Sequence, residues 1–209
     1  MALGTTRTQL TTATMGQAIG TAAYLCKKYG VNPCELDKTQ IKELQQLLLK
    51  DDQTLINFCN NDKKDLALKA KISADSFIEN GEPQNVIRGK ARQHKDEPYA
   101  WMSESKLPQS ITFEFENEEK ISQARITVKT PIDVPLYGFK PSPAFDGMIT
   151  DLSVSVLCDS EWKTVATVEG NYSRLIVADF EAVFAKAVRI TVNKALNFDK
   201  AIIPEIRFY

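Results

Sequence analysis

A mainly β chain, an antiparallel sandwich or barrel behind a short α-helical N-terminal segment, is the fold class this sequence predicts. Three observations carry the prediction. Apolar residues recur with a period near 3.6 early in the chain and with a period of 2 beyond about residue 65. The period-2 runs are short and are separated by turn residues. No helical pattern of any length returns after the switch, which excludes alternating βαβ units.

Taken in order, the elements follow from local signals. Met15, Ala18, Ile19, Ala22, Ala23, Cys26 and Tyr29 mark one face of a helix. Gly30 is placed for its C-terminal cap, and Pro33 blocks continuation. Asp37 followed by Gln40 makes a capping-box-like start for a second helix with Ile41, Leu44, Leu47 and Leu48 on one face, fading at Asp51 and Asp52. A short apolar piece around Leu55, Ile56 and Phe58 precedes the polar stretch 59–64, which reads as a linker. Strand patterns then appear at Ile111, Phe113 and Phe115, at Ile126 and Val128, at Leu152, Val154 and Val156, and at Val188, Ile190 and Val192. Asp159-Ser160, between Cys158 and Trp162, predicts a tight hairpin with 163–168 as its return strand. The expected organisation is a helical segment over 1–58, a linker over 59–64 and a β-rich domain over 65–209.

The chain has 209 residues, enough for one large or two small domains, with 43% hydrophobic and 25% charged residues. A net charge of -1 without a long basic run argues against nucleic acid and anionic membrane as partners. No apolar stretch approaches the ~20 residues of a membrane span. The start lacks the order of a signal peptide, and the compartment stays open. Cys26, Cys34, Cys59 and Cys158 include no Cys-x-x-Cys pair, and one histidine in the chain argues against structural zinc. Cys26 and Cys158 fall in a helix and a strand pattern and read as buried thiols; Cys34 and Cys59 lie near helix ends, where pairing stays open.

Two resemblances follow from particular residues. Met15-Gly16-Gln17-Ala18-Ile19-Gly20 places small residues at the opening of a helix, with Leu3-Gly4-Thr5-Thr6-Arg7 before it and 29–37 after it. Over roughly the first 58 residues the chain resembles the C-terminal end of FAD-dependent oxidoreductases of the glutathione-reductase-like class, where such a helix start approaches the isoalloxazine ring. The resemblance implies that Gly16, Gln17 and Gly20 would contact flavin in a complete parent enzyme. The strand–Gly-rich loop–helix unit that holds the rest of FAD is absent here, so no cofactor is expected in this chain.

From about Asp65 onward the chain resembles discoidin-type, galactose-binding-like jelly-roll β-sandwiches. The matching pieces, in the family's order, are 65–76 as an opening strand, 85–89, Trp101-Met102-Ser103, 109–115, 162–166, 187–192 and 203–209. The resemblance implies a sandwich whose glycan-binding residues lie on loops at one end. Many relatives carry a structural calcium near an Asn-x-x-Asp-Gly-Asp stretch. This chain reads Asn85-Val86-Ile87-Arg88-Gly89-Lys90, where two cations replace acids, so no metal is expected.

Sugar recognition needs an aromatic face for the ring's C–H surface and polar donors for its hydroxyls. Those residue types gather in two stretches outside the strand patterns, 88–99 and 130–148. The carbohydrate-binding candidates are Arg88, Arg92, His94, Tyr99, Tyr137 and Phe139, with Phe145, Tyr172 and Phe198 as further aromatics where strand patterns stop. Trp101 and Trp162 read as packing residues. Carboxylate pairs such as Glu79 with Glu82 and Glu118 with Glu119 lie in charged turns, and no Gly-x-Ser-x-Gly elbow occurs, so no catalytic residue is expected. The favoured reading is a non-catalytic accessory or carbohydrate-binding-like module forming the C-terminal portion of a FAD-dependent oxidoreductase. The alternatives are a packing domain without ligand, and a flavoenzyme subunit completed by a separate nucleotide-binding chain. Expected partners are glycan, an oxidoreductase body, or a second copy meeting through the N-terminal helices.

Overall fold

Among the described residues of the first of two units, Met1–Asn61 and Asp62–Tyr209, two α-helices form, α1 (Gln9–Tyr29) and α2 (Lys38–Lys50). The computed structural model describes residues 9–89, 91–92, 97–130 and 146–209. Gly30, at φ +67°, ends α1, and the Val31 N–H donates to the Cys26 carbonyl at 3.0 Å, closing a Schellman-type cap. A 3₁₀ turn over Pro33–Glu35 leads to α2. There the capping box forms as the sequence predicts: the Gln40 N–H donates to Asp37 Oδ1 at 2.9 Å, and the Asp37 N–H to Gln40 Oε1 at 3.0 Å.

The buried seam of this unit differs from the face that periodicity marked. Leu25, Cys26, Leu48 and Leu49 are buried, whereas Met15, Ile19, Tyr29 and Ile41 are exposed. The seam is rotated from that face: on α1 the half-buried Ala18, Thr21 and Ala22 line up with Leu25 and Cys26, and the Gln53 amide donates to the Thr14 carbonyl at 2.9 Å. Lys28 and Tyr29 both bond the Glu43 carboxylate, at 2.7 and 2.5 Å. The apolar piece around Leu55 and Ile56 forms no regular element. Cys34 and Cys59 are exposed free thiols and do not pair, while Cys26 and Cys158 are buried.

In the second unit Asp65 caps a 3₁₀ turn over Leu66–Lys69, accepting from the Ala67 N–H at 3.0 Å. Only β1 (Lys71–Ala74) of the expected opening strand is therefore extended. The remaining strands are β2 (Trp101–Met102), β3 (Gln109–Thr127), β4 (Ile149–Cys158), β5 (Glu161–Val168), β6 (Leu175–Ala195), β7 (Ile202–Ile203) and β8 (Glu205–Phe208). Every pairing among them is antiparallel.

Two long strands build both layers of the sandwich. The first half of β3 lies between β1 and the second half of β6, in the order β1-β3-β6-β4-β5. Past an irregularity between Glu114 and Glu119, the second half of β3 pairs with β8 on one side and the start of β6 on the other. The polar run 116–120 forms this corner, which is why the sequence reads as two separate strand patterns. Ile111, Phe113, Val154, Val188 and Ile190 of one layer and Ile126, Ile206 and Phe208 of the other belong to one core. Phe113 meets Phe208 edge to face across the layers at 4.9 Å. The β4–β5 hairpin turns through Asp159 (φ 50°) and Ser160 (φ 67°), the signature of a type I′ turn. The result is the mainly β jelly-roll sandwich, preceded by a helical segment, that the sequence predicts.

Candidate functional site

The connection 169–174 leaves β5 in one layer and enters β6 in the other, so it crosses one end of the sandwich. The Gly170 N–H donates to Asp151 Oδ1 at 2.8 Å, and the Asn171 N–H to the Thr150 carbonyl at 2.9 Å. The Asn171 amide donates to the Ile149 and Ser173 carbonyls and accepts from the Ser173 N–H, at 2.9, 2.9 and 3.0 Å. This Asx-type turn fixes the local backbone.

Arg174 then joins this connection to the two stretches singled out in the sequence. Its Nη1 donates to the Val128 carbonyl and Thr130 Oγ1, both at 3.2 Å, and its Nη2 donates to the Ala91 carbonyl at 2.7 Å. The start of 130–148 and part of 88–99 are thus held together by one guanidinium, whose planar fork of donors suits several acceptors at once. The far end of 130–148 is also tied down. The Gly147 N–H donates to the Leu196 carbonyl at 2.7 Å, and the Asn197 amide to Asp146 Oδ1 at 2.8 Å. A Cβ at Gly147 would touch the Phe198 ring at 3.8 Å.

The candidate residues fare differently. Arg88 and Arg92 are exposed; Arg88 Nη1 reaches Asn85 Oδ1 at 3.4 Å and the Pro98 carbonyl at 3.3 Å. Tyr99 is only 8% exposed and packs with Ala100 and Ile202, because the β2–β7 pairing brings Ile202 beside it. Its ring is therefore part of a small core rather than a face open to solvent. His94, Tyr137 and Phe139, with Phe145, lie outside the described residues. Tyr172 and Phe198 are 72% and 41% exposed at this same end.

Trp101 is fully buried and donates from Nε1 to the Ser76 carbonyl at 3.0 Å, the packing role expected of it. Trp162 departs from expectation. It is 37% exposed, with the Arg189 guanidinium 3.9 Å from its ring centroid. The register places it on the outer face of an edge strand, in a row with Leu157 and Ala187, so the sandwich core never reaches it. Arg174 was not singled out in the sequence, since nothing local distinguishes an arginine just before a strand.

The flavin-contact residues do not fit the group. Gly16, Gln17 and Gly20 sit in the interior of α1, which begins at Gln9, not at its N-terminus. Their amides belong to the helical ladder, so the free N–H groups and positive helix end required at a flavin edge are elsewhere. The Thr-rich stretch 9–14, in which only Leu10 and Ala13 are apolar, hides this earlier start in the sequence. Among the described residues no group of three His, Cys, Asp or Glu side chains could hold a metal ion. No helix among them is long and apolar enough to cross a membrane.

No family model and no curated protein matches the sequence. Among solved structures, the chain is similar to the fifth family 32 carbohydrate-binding module of a Clostridium perfringens GH89 protein, solved with GalNAc-β-1,3-galactose. The likeness has 20% identity and a TM-score of 0.53, and covers 68% of this chain and 96% of that one. A family 32 module of C. perfringens NanJ, solved with galactose, is 21% identical with a TM-score of 0.52, over 68% of this chain and 94% of that one. Chitosan-binding module 1 of a Paenibacillus sp. IK-5 chitosanase/glucanase is 18% identical with a TM-score of 0.52, over 69% and 98%. At these identities the likeness is one of fold.

Proposed function

We propose that the Asp62–Tyr209 unit is a non-catalytic carbohydrate-binding module whose site lies at the sandwich end bounded by 88–92, 128–130, 146–148, 169–174 and 196–198. The observation that carries this reading is the convergence of the two sequence-marked stretches on Arg174. The fold supports it, because modules of this architecture have been solved with galactose and with GalNAc-β-1,3-galactose. Exposed Arg88 and Arg92 supply donors for sugar hydroxyls and Phe198 supplies aromatic surface, with Tyr137 and Phe139 as the further candidates the sequence marks. Such a module holds its parent protein near glycan and performs no bond chemistry itself.

The test is retardation of the chain in gels containing soluble polysaccharides, followed by a printed glycan panel. We expect retention on at least one galactose-containing glycan, lost in Arg92→Ala and Tyr137→Ala. Absence of retention on every glycan, with both variants as stable as the parent chain, would leave a domain that only packs. Residues 1–58 as the tail of a FAD-dependent oxidoreductase rest on the sequence resemblance around Gly16-Gln17-Ala18-Ile19-Gly20, and the mid-helix position of these residues counts against flavin contact. A colourless purified chain is expected, and flavin absorbance near one equivalent would overturn that.

A further inference from the structure

Tyr172 is the most exposed tyrosine among the described residues, yet the backbone on both sides of it is pinned. On one side Asn171 spends its backbone N–H and its side-chain amide on Thr150, Ile149 and Ser173. On the other, Arg174 reaches three acceptors on two separate segments, and its own carbonyl accepts from the Val128 N–H at 2.8 Å. Burial of the phenol ring contributes little to the fold, because most of it stays in water. What the pinned backbone does provide is a fixed point from which the ring projects, which lowers the ordering cost of any contact made through it.

The chemistry suited to such a ring is a flat apolar face with polar groups around its rim. A hexopyranose has that form, since its axial C–H groups gather on one face and its hydroxyls point outward. Resting on the carbohydrate-binding reading of this end, we propose that the 169–174 connection is a third wall of the glycan site. In it Tyr172 stacks against a hexopyranose ring, and Arg174 is the positioning residue that locks 88–92 and 128–130 beside it. Arg174 acts through the backbone carbonyls of Ala91 and Val128 and the hydroxyl of Thr130 rather than on the sugar.

The experiment is a titration of the full chain, carrying ring-labelled tyrosine and ¹⁵N-labelled amides, with galactose and N-acetylgalactosamine. The Tyr172 ring resonances are expected to shift together with amides of 88–92 and 128–130. Tyr172→Ala should weaken binding about tenfold, while Phe184→Ala, an exposed aromatic paired with Lys120 at the β3 corner, should leave it unchanged. Arg174→Met should weaken binding comparably and speed amide exchange in 88–92 and 128–130, with β4 and β5 unaffected. Arg174→Lys should not restore it, since one ammonium cannot span the same acceptors; its melting curve separates loop loosening from failure to fold. Amide shifts at 88–92 without any shift at Tyr172, and full affinity in Tyr172→Ala, would overturn the third wall and leave the glycan site standing. Unchanged exchange and affinity in both Arg174 variants would overturn its positioning role. No shift anywhere would overturn the site and the wall together.

Discussion

Arg207→Met should be among the most destabilising single changes in the sandwich, and the reason is the partner it leaves behind. Glu205 and Arg207 stand two residues apart on β8, so they share one face of the strand. Arg207 Nη2 lies 3.1 and 3.0 Å from the two Glu205 oxygens, and the side chains are 2% and 5% exposed. Burial works against the charge on Arg207, but Glu205 and the Tyr209 hydroxyl outweigh it and hold the guanidinium above its ordinary range. Removing the cation strands a buried carboxylate, which costs about 3–5 kcal/mol at pH 7. Replacing both charges, as Arg207→Met with Glu205→Leu, removes the desolvation cost of each and should recover most of that loss. Urea unfolding of the parent, both single variants and the double variant gives the coupling energy directly. The penalty in Arg207→Met should also shrink as the pH falls, since burial without a cation favours the protonated form of the stranded carboxyl. A single-variant loss under about 1 kcal/mol, or a double variant no more stable than Arg207→Met, would refute the reasoning.

Other outcomes follow from single features. Asp159→Asn with Ser160→Gly, in a turn whose two central residues both have positive φ, should stabilise the hairpin by about 0.5–1 kcal/mol in urea unfolding; a loss would mean that the turn is not of the I′ type. Burial pushes the Tyr209 phenol well above its ordinary 10.0, with Arg207 pulling the other way. Stability should therefore be full below pH 10 and fall as the pH rises above it, and Tyr209→Phe should flatten that fall; equal slopes in the two proteins would contradict it. A thiol reagent should label Cys34 and Cys59 rapidly in the native chain, and Cys26 and Cys158 only on unfolding; four fast thiols would contradict the burial of the other two.

Much of the sandwich was legible because its strands alternate between one core and solvent. Ile111, Phe113, Val154, Val188 and Ile190 announce the period directly, and Asp159-Ser160 announces the hairpin. The corner in β3 was not legible, since a polar run between two strand patterns looks the same whether the chain turns or continues. The sequence overextends the opening strand, because Leu66 and Ala67 are core residues carried by a 3₁₀ turn that the Asp65 cap explains. In the helical unit periodicity marks α1 but not which side of it α2 covers, because small residues such as Ala18, Ala22 and Ala23 lie on adjacent sides of the helix and define its face poorly. The candidate site shows the same division. Sequence composition located the stretches, but it was silent on Arg174, whose role exists only once Ala91, Val128 and Thr130 are brought within its reach. Tyr99 failed as a solvent-facing ring for the complementary reason, since its neighbour Ile202 is distant in sequence. Trp162 looked like packing, but it lies on an outer face that hydrophobicity alone cannot tell from an inner one.

The central claim, that this sandwich binds glycan at the end tied by Arg174, is tested most directly by mapping ¹⁵N–¹H shift changes while galactose and GalNAc-β-1,3-galactose are added to the chain. The account predicts saturable shifts confined to 88–92, 128–130, 146–148, 171–174 and 196–198, with an affinity on the order of 1 mM, or about 4 kcal/mol. Shifts gathered instead on the Trp162–Arg189 face, or none at all with either sugar far above that concentration, would contradict it.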